Sequence, residues 1–459
     1  MHHFSETSRN CLEADRSSIE AETVALLQAL IRFDTTNPPG NELLLAEFLR
    51  SVFEKDGIST TLLLPTPSRA ALIARLKGNG TKRPVMLLAH MDVVGVEAEK
   101  WSCDPFGGVV RDGYLYGRGA IDDKGMLAAN AMALLQIKRS ILDNGGELDR
   151  DVVFVATSDE EAGGADGMRW LVENHSEHLD AEFAINEGGR TRIIEGGKRY
   201  LAIQTAEKIS HQVLVTARGP AGHAAIPLVG NAVFQLGRAL AKLADYCEPV
   251  TLNSTTSRFF GDLSKVWPAP DVAEAMQNVV SSDPATSNAG AEVLSQIPVF
   301  NAVMRNGISP VGLGGGVAGN VIPAEVTAIL NVRTVPGHRI EDVVDRIRQT
   351  IGSETVTIAI ASHGEEAPGS DPDSVMFQAI AASALAIDPH ISVVPYLSTG
   401  GTDSAHLRRL GINAYGILPF PMEQSDEERM HGHDERVPVQ SLHFGTRLIF
   451  ESVRRVAEA

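Results

Sequence analysis

Strand and helix signals alternate along the first 207 residues, change pattern at Lys208, and alternate again after Gly369. That interruption constrains the fold more than any other feature of the chain. In the first part, Ala71–Leu76, Val85–Ala89, Val152–Thr157 and Phe183–Ile185 read as strands. Ser18–Phe33, a segment starting near Asn41, Gly125–Lys138 and Gly167–Asn174 read as helices. Val152–Thr157 is almost continuously apolar, as expected of a strand covered on both faces. The alternation predicts a layered α/β domain around a mainly parallel central sheet.

From Lys208 the order changes. A strand (Gln212–Arg218) and a helix (Asn231–Tyr246) lead into strands at Ala302–Leu313 and Val321–Val335, a helix (Ile340–Gly352) and a strand (Thr355–Ala361). That is β-α-β-β-α-β, the ferredoxin-like order. Asn253–Ile297 reads as a polar insertion into it, with Pro268 and Pro270 as breakers. A helix (Asp373–Ile387) and a strand (Ile412–Ile417) follow. The predicted organisation is a tail over residues 1–17, a catalytic domain in two segments (18–207 and 367–459), and an inserted α+β domain over 208–366.

A chain of 459 residues suits such a division, and its 43% hydrophobic content supplies a core without disulfides. Cys11, Cys103 and Cys247 are odd in number and far apart, so no disulfide framework or thiolate cluster is signalled. Lys plus Arg number 40 against 58 Asp plus Glu, a formal net charge of −18. That balance argues against nucleic acid or an anionic membrane as partner. The polar N-terminus and the lack of a long apolar run predict a cytoplasmic protein.

Candidate ligand residues sit at predicted strand ends, where α/β sheets place their sites. His90 closes an apolar strand, and Asp92 two residues on is placed to orient its ring. Alone, this pair reads more readily as a structural histidine. Asp122 and Asp123 lie between Gly119 and Gly125, just before an Ala-rich helix; a capping Asp with a solvated neighbour is the bland alternative. Asp159, Glu160 and Glu161 end the buried strand, where three acids need compensating charge unless they form a surface turn. Glu187 precedes Gly188-Gly189, and His431 competes with His433 for a metal-facing position. Imidazole and carboxylate together suit zinc, although cobalt and manganese share such sites.

Taken in order, LLAHMDVV, WSCDPFGG, LYGRGAIDDKG, SDEEAGG, NEGG, GHAAIP, GNVIP, NVRTVPG, GGTDS and MHGHDE resemble the dizinc aminoacylase/carboxypeptidase family. That family includes glutamate carboxypeptidase, succinyl-diaminopimelate desuccinylase, acetylornithine deacetylase and carboxypeptidase S. The resemblance runs from about Glu20 to the C-terminus, and it implies a dizinc catalytic domain with an inserted ferredoxin-like lid that also dimerises. It implies two zinc ions, one held by His90, Asp122 and Glu187 and the other by Asp122, Glu161 and His431, with Asp122 bridging. Asp92 orients His90, and Glu160 is the general base for a hydroxide bound between the metals. His223 resembles the family histidine that stabilises the oxyanion, often from the partner subunit. By the same resemblance Asn320 and Arg333 would clamp the substrate carboxylate, and Gly400, Gly401 and Thr402 would line the same end; a fork-shaped Arg suits a carboxylate.

The expected activity is hydrolysis of the amide of an N-acyl amino acid or short peptide beside a free carboxylate, by a homodimer formed through the lid. An aminopeptidase or dipeptidase is the competing enzyme, with Asp123 or Glu435 as the group that holds a free amine. A non-catalytic binding protein on the same fold is the competitor from another class. Arg118 and Lys124 read as structural charges.

Overall fold

The computed structural model describes residues 6–458. Its main body is a nine-stranded sheet. Eight strands follow the order Ser59–Leu63, Ala71–Leu76, Val152–Thr157, Val85–His90, Phe183–Asn186, Asn413–Gly416, Arg199–Glu207 and Ser392–Ser398, and Arg190–Ile193 pairs with Arg199–Glu207. The four strands from Val152–Thr157 to Asn413–Gly416 pair in parallel. Every residue of Val152–Thr157 and of Val85–His90 is buried. The α/β expectation therefore holds, and for the stated reason: apolar strands need helices on both faces. The helix Lys124–Ser140 lies between the sheet and the C-terminal helix Val439–Ala457, and its residues 124–137 are all buried.

Phe154 is fully buried in this core and meets Phe53 edge-on at 4.9 Å between ring centroids. Phe154→Ala is expected to lower stability by ~3–5 kcal/mol, through lost transfer energy and the cavity left behind. Denaturant unfolding reads this, and a loss under ~1 kcal/mol contradicts the packing described.

The block from residue 209 forms a separate four-stranded antiparallel sheet, in the order Gly307–Gly315, Glu325–Thr334, Ile209–Arg218 and Val356–Ser362. Burial alternates along Ile209–Arg218 and Glu325–Thr334, and the buried face packs on helices Ala232–Ala244 and Ile340–Ile351. This is the β-α-β-β-α-β unit.

Three expectations need correction. The predicted tail is mostly helical. One helix runs Glu6–Ile31, and residues 1–5 lie outside the described residues. Residues 6–33 contain neither Gly nor Pro, so helix propensity prevails over polarity there. The insertion at 253–297 is helical as well, with Ser254–Leu263, Pro270–Val279 and Pro284–Leu294, and a fourth helix, Pro298–Met304, follows it directly. Pro270, Pro284 and Pro298 start three of these four helices, because a residue in the first turn needs no N–H partner, while Pro268 lies in the bend before Pro270–Val279. Asn253 and Asp283 cap two of them. Finally, Ala302–Met304 belongs to the last of these helices, so the strand expected there starts at Gly307. The inserted helices pack on the central sheet, through a core shared with Tyr200, Ala202, Val394 and Tyr396.

Candidate metal centre and active site

Three adjacent parallel strands deliver the site. His90 is the last residue of its strand. Glu160 and Glu161 follow Val152–Thr157 in a short 3-10 turn, and Glu187 follows Phe183–Asn186. All open at the carboxyl edge of the sheet, where open α/β sheets form crevices. The turn after Glu187 requires glycine: Gly188 has φ +110°, and a Cβ on Gly189 would lie 2.4 Å from the Gly416 carbonyl oxygen.

Asp122 sits between two histidines. His90 Nε2 is 3.0 Å from its Oδ1, and His431 Nε2 is 3.1 Å from its Oδ2. The same His431 nitrogen is 3.1 Å from Glu161 Oε1. His90, Asp122 and Glu161 offer ligand atoms that all lie within 4.8 Å of one another. Asp159 (φ 64°) and His431 (φ 61°) both hold the left-handed backbone that non-glycine residues avoid. Such outliers gather at functional sites.

A scaffold of buried polar groups holds this constellation. His90 Nδ1 contacts the Asp92 carbonyl oxygen at 3.0 Å and its carboxylate at 3.4 Å. The Asp92 oxygens accept the backbone N–H groups of Glu160 and Glu161, both at 3.1 Å, and the Asn37 side-chain amide at 2.8 Å. Asp92 thus ties the histidine strand to the glutamate turn. Glu435 does the same for the Asp122 loop. It accepts from the backbone of Gly119, Ile121 and Asp122, and pairs with Arg118 at 2.5 Å. Being fully buried and so occupied, Glu435 does not serve as the amine-binding acid of the dipeptidase reading. Asp123 is fully buried too and accepts the His90 N–H at 3.3 Å. Lys124 donates to the Phe33 carbonyl at 2.6 Å, and His433 pairs with Glu97 on the surface.

Asp122, Asp123, Glu160, Glu161 and Glu187 line one cavity of about 920 Å³ with His431 at its rim. Burial, with the neighbouring carboxylates, pushes Glu160, Glu187 and Asp123 well above the usual carboxylate range. His431 is raised to about 10 by its contacts with Asp122 and Glu161. So much acid beside two imidazoles calls for positive charge. Imidazole nitrogens and carboxylate oxygens are the donors that divalent transition metals take, so the residues present fit metal.

Arg333, Gly400, Gly401 and Thr402 line the same cavity. Arg333 Nε donates to Asn331 at 2.9 Å, and no carboxylate of the described residues pairs with the guanidinium. His223 and Asn320 do not line the cavity; both are exposed, His223 on the two-stranded pairing of Gly222–His223 with Val321–Ile322 and Asn320 in the turn just before it. Sequence reasoning missed Asp403, which is buried beside Glu160, accepts from Thr157 at 2.9 Å and is raised by burial to about 7. It also missed Glu207, which accepts from Thr402 at 3.1 Å. Asp403 lies inside the GGTDS motif, which was the one signal available.

A sequence model of peptidase family M20/M25/M40 matches residues 86–455. The chain belongs to this family. It is a hydrolase of the metallopeptidase type. Two relatives carry the likeness further. Probable carboxypeptidase S-like 2 of Dictyostelium discoideum is 28% identical over 86% of this chain and 76% of its own length. N-fatty-acyl-amino acid synthase/hydrolase PM20D1 of Xenopus tropicalis is 29% identical over 78% of this chain and 70% of its own. In fold, this M20 member is similar to the M20 family metallo-carboxypeptidase Sso-CP2 from Sulfolobus solfataricus, with TM-score 0.70, 21% identity and coverage of 95% and 99%. Among the described residues of the M20 chain, no helix is long and apolar enough to cross a membrane.

Proposed function

We propose that this M20 hydrolase cleaves the amide of an N-acyl amino acid or short peptide next to a free carboxylate, using two divalent ions, with zinc the expected metal. The observation that carries the reading is Asp122, whose two carboxylate oxygens face different histidines, His90 and His431. In this reading His90, Asp122 and Glu187 hold one ion, and Asp122, Glu161 and His431 hold the other. Bound ions supply a polarised carbonyl and a water of lowered pKa. Glu160, in the cavity beside Asp122 and Glu161, takes the proton of the attacking water and delivers it to the leaving nitrogen. The carbon–nitrogen bond breaks, and a carboxylate and an amine leave. Asp92 positions His90 and the glutamate turn together.

The Arg333 guanidinium, which has no ion-pair partner among the described residues, supports the carboxylate end of the substrate. A fork of N–H donors without an acid of its own suits a carboxylate, and Gly400–Thr402 line the adjoining wall. The test is a panel of N-acyl amino acids and dipeptides assayed with metal-reconstituted protein. Arg333→Ala is expected to raise KM at least ~10-fold, since hydrogen bonds to charged groups contribute ~1.5–3 kcal/mol. An unchanged KM removes Arg333 from the clamp. A preference for free-amine dipeptides over N-acyl amino acids favours the dipeptidase alternative.

The lid, over residues 208–366, is proposed as the dimer contact. Gly307–Gly315 is an edge strand with unpaired backbone. Leu313 (73% exposed) lies on it, and Phe234 (66%) lies on the helix behind. His223 and Asn320 sit outside their own chain's cavity, as expected if they serve a partner's site. Mixing His223→Ala chains with Glu160→Ala chains, each inactive, should then restore part of the activity. No recovery in verified mixed dimers returns His223 to its own chain's site or to none.

A further inference from the structure

The cavity has a wall that amide hydrolysis leaves without a role. Trp267, Ile297, Pro298, Val299 and Phe300 line it, all from the inserted helical segment and none of them charged. Phe300 is its root. It is buried, meets Trp267 edge-on at 5.2 Å between ring centroids, and packs against Phe259 and Phe260 at 6.2 and 5.9 Å. The same cluster includes Tyr200, Val394 and Tyr396 of the central sheet. The wall is therefore fixed to the sheet whose strand ends carry His90, Glu160 and Glu187. Trp267, Ile297 and Val299 stay half-buried, so apolar surface faces the open cavity.

Other lining residues are different in kind: Gln424, Glu428, His431, and Glu427 paired with Arg190 and Arg192. The apolar stretch thus rewards burial of an apolar group within a cavity whose lining is otherwise largely polar and charged. A volume of about 920 Å³ lies near the upper end of the ~300–1,000 Å³ usual for small-molecule sites. A substrate as small as N-acetylglycine would leave this wall against water.

We propose that the inserted helices set substrate choice: Trp267, Val299 and their neighbours take a bulky apolar substituent of the substrate, an acyl chain or an apolar side chain. The proposal rests on the amide-hydrolase reading above and names the substrate class of that site. Rotamer freedom is small in a wall anchored through Phe300, so the surface is formed before substrate arrives.

The test compares N-acetylglycine, N-dodecanoylglycine and N-acetylphenylalanine as substrates of the metal-loaded full chain. Wild type should prefer at least one of the larger two by ~10-fold or more in kcat/KM, the discrimination a single methylene gives in an apolar pocket. Which one is preferred assigns the wall to the acyl chain or to the side chain. Val299→Asn and Trp267→Ala should each erase most of that preference while N-acetylglycine hydrolysis changes little. Val299 is half-buried at the cavity surface, so its variant keeps the test valid where Trp267→Ala fails to fold. Calorimetry with the amide-free counterparts N-ethylglycine, N-dodecylglycine and N-ethylphenylalanine reads the wall without catalysis. If no amide is cleaved yet wild type binds a larger amine ~10-fold more tightly and Val299→Asn does not, the hydrolase reading fails and the wall stands. Equal kcat/KM across the amides together with equal binding across the amines overturns the proposal. A preference that survives both substitutions overturns it as well.

Discussion

Glu160→Gln is expected to slow hydrolysis by at least ~10²–10⁴, the usual contribution of general acid–base catalysis, with both metal ions still bound. The substitution keeps size and shape and removes only the basic oxygen. The Glu160 backbone N–H is held by Asp92 at 3.1 Å, so the turn keeps its place whatever the side chain carries. Glu161 differs, because its Oε1 lies 3.1 Å from His431 Nε2 within the ligand group. Glu161→Gln should therefore lower metal occupancy. Elemental analysis beside single-turnover rates separates the two. If Glu160→Gln loses metal while Glu161→Gln keeps it and merely slows, the roles are reversed. Full activity in both variants reduces the segment to an acidic turn.

Asp122→Ala is expected to empty both metal positions. A carboxylate with one oxygen 3.0 Å from His90 and the other 3.1 Å from His431 is the link between the two halves of the site. Its removal also leaves the two imidazoles to face each other's charge when protonated. After zinc reconstitution, wild type should hold about two ions per chain, as two-metal hydrolytic sites do, and Asp122→Ala close to none. His90→Ala and His431→Ala should each lose mainly one. Two ions retained in Asp122→Ala rule out a bridging role. Near-zero metal in the wild type, with activity kept in chelator, ends the metallohydrolase mechanism altogether.

Much of this was legible in the residues, and for a local reason. An apolar run that stops at a histidine or an acid is a signal confined to a few neighbours, so His90, Glu160, Glu161 and Glu187 stood out together with the strands that carry them. The order of elements also told the inserted sheet apart from the central one, because hydrophobic periodicity is set by each element's own burial. Where signals conflict locally, reading failed. Pro270 looks like a breaker and instead opens a helix, as Pro284 and Pro298 do, since nothing in the neighbouring residues says which side of a proline the helix lies on.

Other properties appear only when distant segments meet. Residues 90, 122, 161 and 431 converge on one point because two parallel strands and two loops end at the same sheet edge. Glu435 looked like a free acid, and tertiary structure encloses it among backbone N–H groups more than 300 positions away in the chain. His223 looked like a site residue, and folding leaves it on the surface of the small sheet, outside its own cavity. Trp267 and Phe300 gave no sign of facing a substrate, because their segment reads as polar and becomes a cavity wall only by packing on Tyr200 and Tyr396. Sequence alone determined which elements form and which chemistry the chain carries, as both depend on neighbours along the backbone. Tertiary structure decided which of those residues share a cavity, since burial and charge act between groups that only folding brings within a few ångströms.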